Sequence, residues 1–149
     1  MAQISRSRTV AASAQQVWDV LADFGAISSW VGNVDHSCLL EHGRDGVAVG
    51  TSRRVQVGRD TLVERITEFD EPVALAYTIE GLPRPLGRVA NRWTLTPDSP
   101  AASTTITLTT TVQIGANPLA SLAERALCRL VSKQSDAMLA GLSARVEGR

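Results

Sequence analysis

Hydrophobic and polar positions along the 149-residue chain change period three times. Residues 3–10 alternate weakly and predict an edge strand. The spacing then lengthens. Val17, Trp18, Val20, Leu21 and Phe24 recur at the three- and four-residue steps of one helix face. Ser13 stands just ahead of this run with Gln16 three residues on, the pattern of a reciprocal N-terminal cap. Gly25 is the expected C-terminal cap, since glycine takes a left-handed backbone without steric penalty. The apolar pattern restarts in "AISSW" and ends on Trp30, which leaves room for only a second short helix or a turn.

Between residues 34 and 114 the period falls to two. Enrichment in Val, Ile, Thr, Tyr and Trp predicts strands over 34–41, 48–57, 60–69, 73–80, 88–96 and 104–114. The stretches "EHGRDG", "VGRD", "FDEP", "GLPRPLG" and "TPDSPAAS" punctuate them. Gly58-Arg59 fits a two-residue type II′ hairpin loop with glycine first. That loop sets Val57 opposite Asp60, and therefore Arg53 opposite Glu64. Asn117 as N-cap and Pro118 in the first turn then open a long helix. Its apolar stripe is Leu119, Leu122, Ala123, Ala126, Leu127, Leu130, Val131, Met138, Leu139 and Leu142. Hairpin-linked strands with helices gathered on one face imply an α+β fold with an antiparallel sheet.

Alternation divides each strand into two faces. In the hairpin, the more apolar face holds Arg53, Val55, Val57, Asp60, Leu62, Glu64 and Ile66, and should point inward. Two opposite charges on an inward face call for pairing, because an unpaired buried charge costs several kcal/mol. Either the two form a structural ion pair at a sheet edge, or the interior is partly wet and the pair orients a ligand. The next strands give faces of Leu75, Tyr77 and Ile79, of Val89, Asn91, Trp93 and Leu95, and of Ile106, Leu108, Thr110 and Val112. Tyr77, Asn91, Trp93 and Thr110 each read as core residues by themselves. As a set among aliphatic neighbours they have the makeup of a small-molecule pocket.

Composition narrows the function. An apolar fraction of 44% and a charged fraction of 20% are those of a globular chain. The formal net charge of zero argues against a nucleic-acid surface, which would need an excess of Lys and Arg. No apolar run reaches the roughly 18 to 20 residues of a membrane span. The start "MAQISRSRTV" lacks the apolar core of a signal peptide, and Cys38 and Cys128 have no paired spacing. A cytoplasmic protein with reduced thiols is the expectation. The chain has no P-loop, dinucleotide fingerprint, zinc-helix motif or nucleophile elbow. His36 and Cys38 share a strand face without a third ligand, so no metal and no cofactor are expected. A catalyst built from these residues would work by shape and hydrogen bonding.

Two stretches carry a resemblance. "SAQQVWDVLADFGAISSWVGNV", and "VGTSRRV" followed by "LVERITEFDEPVALAYTI", resemble polyketide cyclase/dehydrase-type proteins of the START-like, birch-allergen-like superfamily (SRPBCC). The resemblance covers nearly the whole chain, as one domain over 1–149. It implies a helix-grip fold: a seven-stranded antiparallel sheet curved around the long C-terminal helix, with two short helices after the first strand. It also implies a deep, mostly apolar cavity between sheet and helix for a lipid-like, aromatic or polyketide-type molecule. Arg53, Glu64 and Tyr77 match recurring polar positions of such proteins, and Trp30 matches the point where the helix pair meets the cavity. The expected lining is Trp30, Arg53, Val55, Leu62, Glu64, Tyr77, Asn91, Trp93, Thr110, Leu122 and Leu130. Loop 81–87 falls where these proteins often carry a flap. Three readings stay open. In the first the chain is a binder of a small hydrophobic molecule, with Arg53 available to an anionic head group. In the second it is a polyketide cyclase/dehydratase using Arg53, Glu64 or Tyr77. The third is an interaction module, with the chain a monomer or homodimer.

Overall fold

A computed structural model describes residues 2–82, 87–98, 103–113 and 118–148, with the side chains of 118–121, 123, 124 and 128 left out. Most of the expected flap loop (83–86), the Asn117 cap and the Cys128 side chain therefore lie outside the described residues. Seven strands form one antiparallel sheet: β1 (Ala2–Val10), β2 (His36–Glu41), β3 (Ser52–Val57), β4 (Asp60–Asp70), β5 (Ala74–Glu80), β6 (Arg88–Pro97) and β7 (Thr104–Gln113). Their order is β1-β7-β6-β5-β4-β3-β2, so β2 to β7 form a meander and β1 closes onto β7. Helix α1 (Ala14–Ala22) and a 3₁₀ segment (Phe24–Ser29) carry the chain from one edge strand to the other. The long helix α2 (Pro118–Val146) lies against β1, β7 and α1. This is the antiparallel α+β arrangement that the sequence pattern predicts and the helix-grip fold that the resemblance implies.

Local chemistry explains most of these elements. Ser13 accepts from the Gln16 backbone at 3.2 Å, and Gln16 Oε1 accepts from the Ser13 backbone at 2.8 Å. These bonds satisfy two otherwise orphaned helix-end donors. Val17, Trp18 and Leu21 point into the core from α1. Gly58 has φ of +59° and Arg59 is not left-handed, which excludes a type I′ loop and fits type II′. The register follows from it, with Val57 opposite Asp60 and Arg53 opposite Glu64. On the outer surface, hydroxyls of Ser5–Thr109, Ser7–Thr107 and Thr9–Thr105 pair at 2.9, 2.8 and 3.1 Å. This ladder of cross-strand bonds holds β1, whose alternation is weak, to its partner.

Two expectations change. The strand expected from residue 48 begins at Ser52, because Ala48–Thr51 forms a turn and Gly50 sits at φ of +93°. Gly25 is not left-handed. Its need for glycine is proximity: a Cβ there would stand 3.0 Å from Leu39 Cγ and 3.1 Å from the Leu39 backbone nitrogen. The 3₁₀ segment is pressed onto β2 at this point. Ser37 Oγ holds it there, donating to the Gly25 carbonyl at 2.7 Å and accepting from the Ser28 backbone at 3.0 Å.

The filled core lies under the C-terminal half of α2. Met138, Leu139 and Leu142 meet Trp18, Phe24, Ile106 and Leu108 there, all buried. Small residues let the helix come close: Ser135 and Ser143 are buried, and a Cβ on Gly141 would collide with the Trp30 carbonyl oxygen. Toward its N-terminal half the helix stands off the sheet. Leu122 and Leu130 are 64% and 68% exposed.

Candidate functional site

The space left by that standing-off is a cavity of about 820 Å³. Val55, Val57, Leu62 and Glu64 of the β3–β4 hairpin form one wall, with Ile79 and Asn91 beyond them. Leu127, Leu130, Gln134 and Met138 of α2 form the opposite wall. Ile27, Val31 and Val34, in and after the 3₁₀ segment, close one end. Arg59, Asp60 and Thr61 stand exposed at the hairpin rim. No aromatic side chain is among the described lining residues.

The inward faces read from the sequence are inward in the structure, yet they divide by depth. Val55, Leu62, Glu64, Asn91 and Leu130 reach the cavity. Trp30, Arg53, Tyr77 and Trp93 lie beneath it, around a void with Leu21, Phe24, Ile27 and Leu75. Thr110 sits behind Asn91, and Leu122 points to solvent. Alternation distinguishes inside from outside but carries no depth. Val31 and Val34 continue the apolar spacing of Ile27 and Trp30, a signal that could have placed them. Asn33 and Gln134 gave none. Their side-chain amides bond reciprocally at 2.9 and 3.1 Å, joining the loop after the 3₁₀ segment to α2 across 101 positions of sequence.

Arg53 and Glu64 form a buried ion pair, 3% and 6% exposed. Arg53 Nε and Nη2 both donate to Glu64 Oε1 at 2.7 Å, and Nη1 donates to the Phe24 carbonyl at 2.9 Å. The guanidinium is also held against two rings, its carbon 3.8 Å from the Phe24 centroid and 4.7 Å from that of Tyr77. Desolvated stacking of this kind favours Arg over any other cation. All three Arg53 nitrogens are therefore engaged within the floor, and no guanidinium nitrogen faces the cavity.

Beside it runs a neutral network. The Tyr77 hydroxyl accepts from Asn91 Nδ2 at 3.2 Å and from Trp93 Nε1 at 3.4 Å, and Thr110 donates to Asn91 Oδ1 at 2.6 Å. Burial pushes the Tyr77 phenol above its usual range, and the Glu64 carboxylate adds to this. Tyr77 is thus held neutral, under the lining, with two donors on its oxygen. Of Arg53, Glu64 and Tyr77, only Glu64 lines the cavity.

A curved antiparallel sheet gripping a long helix over a partly open, aliphatic cavity defines the class of helix-grip proteins. The family described as polyketide cyclase / dehydrase and lipid transport matches residues 1–147, and the chain belongs to that family. Among solved structures, the chain is similar to the Zhui aromatase/cyclase from Streptomyces sp. R1128 at 24% identity and a TM-score of 0.79, covering 98% of this chain and 93% of that one. A START superfamily protein from Mycobacterium smegmatis is 18% identical with a TM-score of 0.78, covering 98% and 97%. A protein from Thermobifida fusca is 29% identical with a TM-score of 0.78, covering 98% and 93%. No curated protein matches the sequence. Among the described residues, no helix is long and apolar enough to cross a membrane.

Proposed function

We propose that the chain binds a small, largely apolar molecule in the cavity between the sheet and the N-terminal half of α2. The observation that carries this is the cavity itself: about 820 Å³, with mostly aliphatic walls, Glu64 and Asn91 as buried polar groups, and Asn33, Arg59, Asp60, Thr61 and Gln134 as the less buried ones. Such a site binds by removing apolar ligand surface from water, at about 25 cal/mol per Å². The family's description, which includes lipid transport, supports the same reading. Trp30, Tyr77 and Trp93 support the floor from below. The test is titration of refolded, extracted protein with the neutral fluorophore N-phenylnaphthylamine. Saturable uptake at one molecule per chain is expected. Leu62→Glu, which sets a charge on the wall, should weaken it about ten-fold or more. No uptake by the wild-type chain overturns the reading.

A second reading, a polyketide cyclase/dehydratase in the same cavity, is favoured by the position of Glu64, a carboxylate able to move a proton at a bound poly-β-ketone. The family's description and the likeness to an aromatase/cyclase support it. Turnover of a poly-β-ketone by the wild type, lost in Glu64→Gln, separates catalyst from carrier.

A further inference from the structure

The buried ion pair is lopsided, and its exposed side faces the cavity. Both Arg53 contacts converge on Glu64 Oε1. Glu64 Oε2 has no hydrogen-bond partner among the described residues, although the side chain is only 8% exposed. A carboxylate carries about four acceptor positions on its two oxygens. The oxygen is not among the buried side-chain atoms left without a partner, so it opens to the cavity, where a ligand donor can take the place of water on it.

We propose that Glu64 is the specificity determinant of the cavity, selecting a neutral ligand that presents a hydroxyl or N–H donor and rejecting ligands that carry a carboxylate. The inference rests on the reading of the cavity as a binding site. Three observations set the chemistry. The pair with Arg53 carries no net charge, so the site calls for a neutral donor and gives a cation little extra. Arg53 is 3% exposed, has each nitrogen on Glu64 or Phe24 and its faces on two rings, and does not line the cavity, so its charge is committed to Glu64 and not presented to a ligand. The other charged lining residues among those described, Arg59 and Asp60, are opposite in sign, adjacent and exposed at the rim. An anionic head group at the floor would meet the outward oxygen of Glu64, and among the described residues no cation but Arg53, already paired with Glu64, lies at that depth. A hydroxyl there would donate a charge-assisted bond to Glu64 Oε2, roughly twice as strong as a neutral one.

Displacement of N-phenylnaphthylamine by three probes of one skeleton tests this: naphthol, its methyl ether and naphthoate. For the wild type, naphthol should bind about ten-fold tighter than the ether, and naphthoate weakest. In Glu64→Gln the side-chain oxygen stays on Arg53 and an amide N–H takes the place of Oε2. An acceptor becomes a donor, so naphthol should lose its advantage while the ether and naphthoate gain. Equal binding of naphthol and ether by the wild type overturns the inference while leaving the binding site standing. The same ranking in Glu64→Gln also overturns it. The wild-type ranking decides the matter by itself if the variant does not fold. Failure of N-phenylnaphthylamine to bind at all is a failure of the cavity reading instead.

Discussion

The two halves of α2 invert the usual expectation of where hydrophobic residues go. The C-terminal half, "SDAMLAGLSARV", is rich in small and polar residues, and it is the half buried in the core. In the N-terminal half, Leu122 and Leu130 are more than half exposed and Leu127 borders a cavity. Burial depends on how near a helix axis can approach, and approach is set by the smallest side chains at the contact. Gly141 admits the Trp30 carbonyl, and Ser135 and Ser143 keep the same region thin. Along the other half, Leu127 and Leu130 face the cavity between helix and sheet instead of a filled core.

The ion pair lies at the boundary between these halves, and breaking it should have the largest effect. Arg53→Met keeps the stem that fills the space between Phe24 and Tyr77 but strands the Glu64 carboxylate. The loss should be about 3–5 kcal/mol, read by urea unfolding. Adding Glu64→Gln should recover most of it, because a buried pair replaced by neutral groups is often near neutral in stability. A single Arg53→Met variant as stable as the wild type would mean that Glu64 is solvated from the cavity, and the boundary would have to be drawn lower.

Next in size is the close approach at Gly141. Gly141→Ala forces a Cβ against backbone at Trp30, a contact with no flexible side chain to give way. Overpacking of this kind costs about 1–3 kcal/mol. It should also tilt α2, so N-phenylnaphthylamine affinity should change along with stability. A destabilised variant with unchanged affinity would uncouple the two halves.

Legibility in the sequence follows the same division. The Arg53–Glu64 pairing was readable because a two-residue loop leaves a hairpin no freedom of register, and the inward faces followed from alternation. Gly25 was misassigned in role because glycine meets two different needs, a left-handed backbone and close approach, and only the position of Leu39 tells them apart. The depth of Trp30, Tyr77 and Trp93 was hidden for a related reason. Every inward residue of a sheet looks alike in a period of two, and what lies above it is set by a helix that begins 25 positions beyond Trp93 and further still from Trp30 and Tyr77. Asn33 and Gln134 show the limit most plainly, since each is an ordinary polar residue until the fold brings their amides together.

The smallest expected effect tests the open half directly. Leu130 is 68% exposed and yet borders the cavity. Leu130→Ser removes apolar surface already in water, so unfolding free energy should move by no more than about 0.5 kcal/mol. Binding should respond more, because a bound molecule would cover part of that surface and gain its transfer free energy, about 25 cal/mol per Å². A stability loss of about 2 kcal/mol or more, as for a buried leucine, would show that α2 lies closer to the sheet in solution. The cavity would then be smaller than its outline, and the contrast between the halves of the helix would shrink with it. Unchanged stability with weakened N-phenylnaphthylamine binding is the outcome that a helix held tightly at one end and standing off at the other requires.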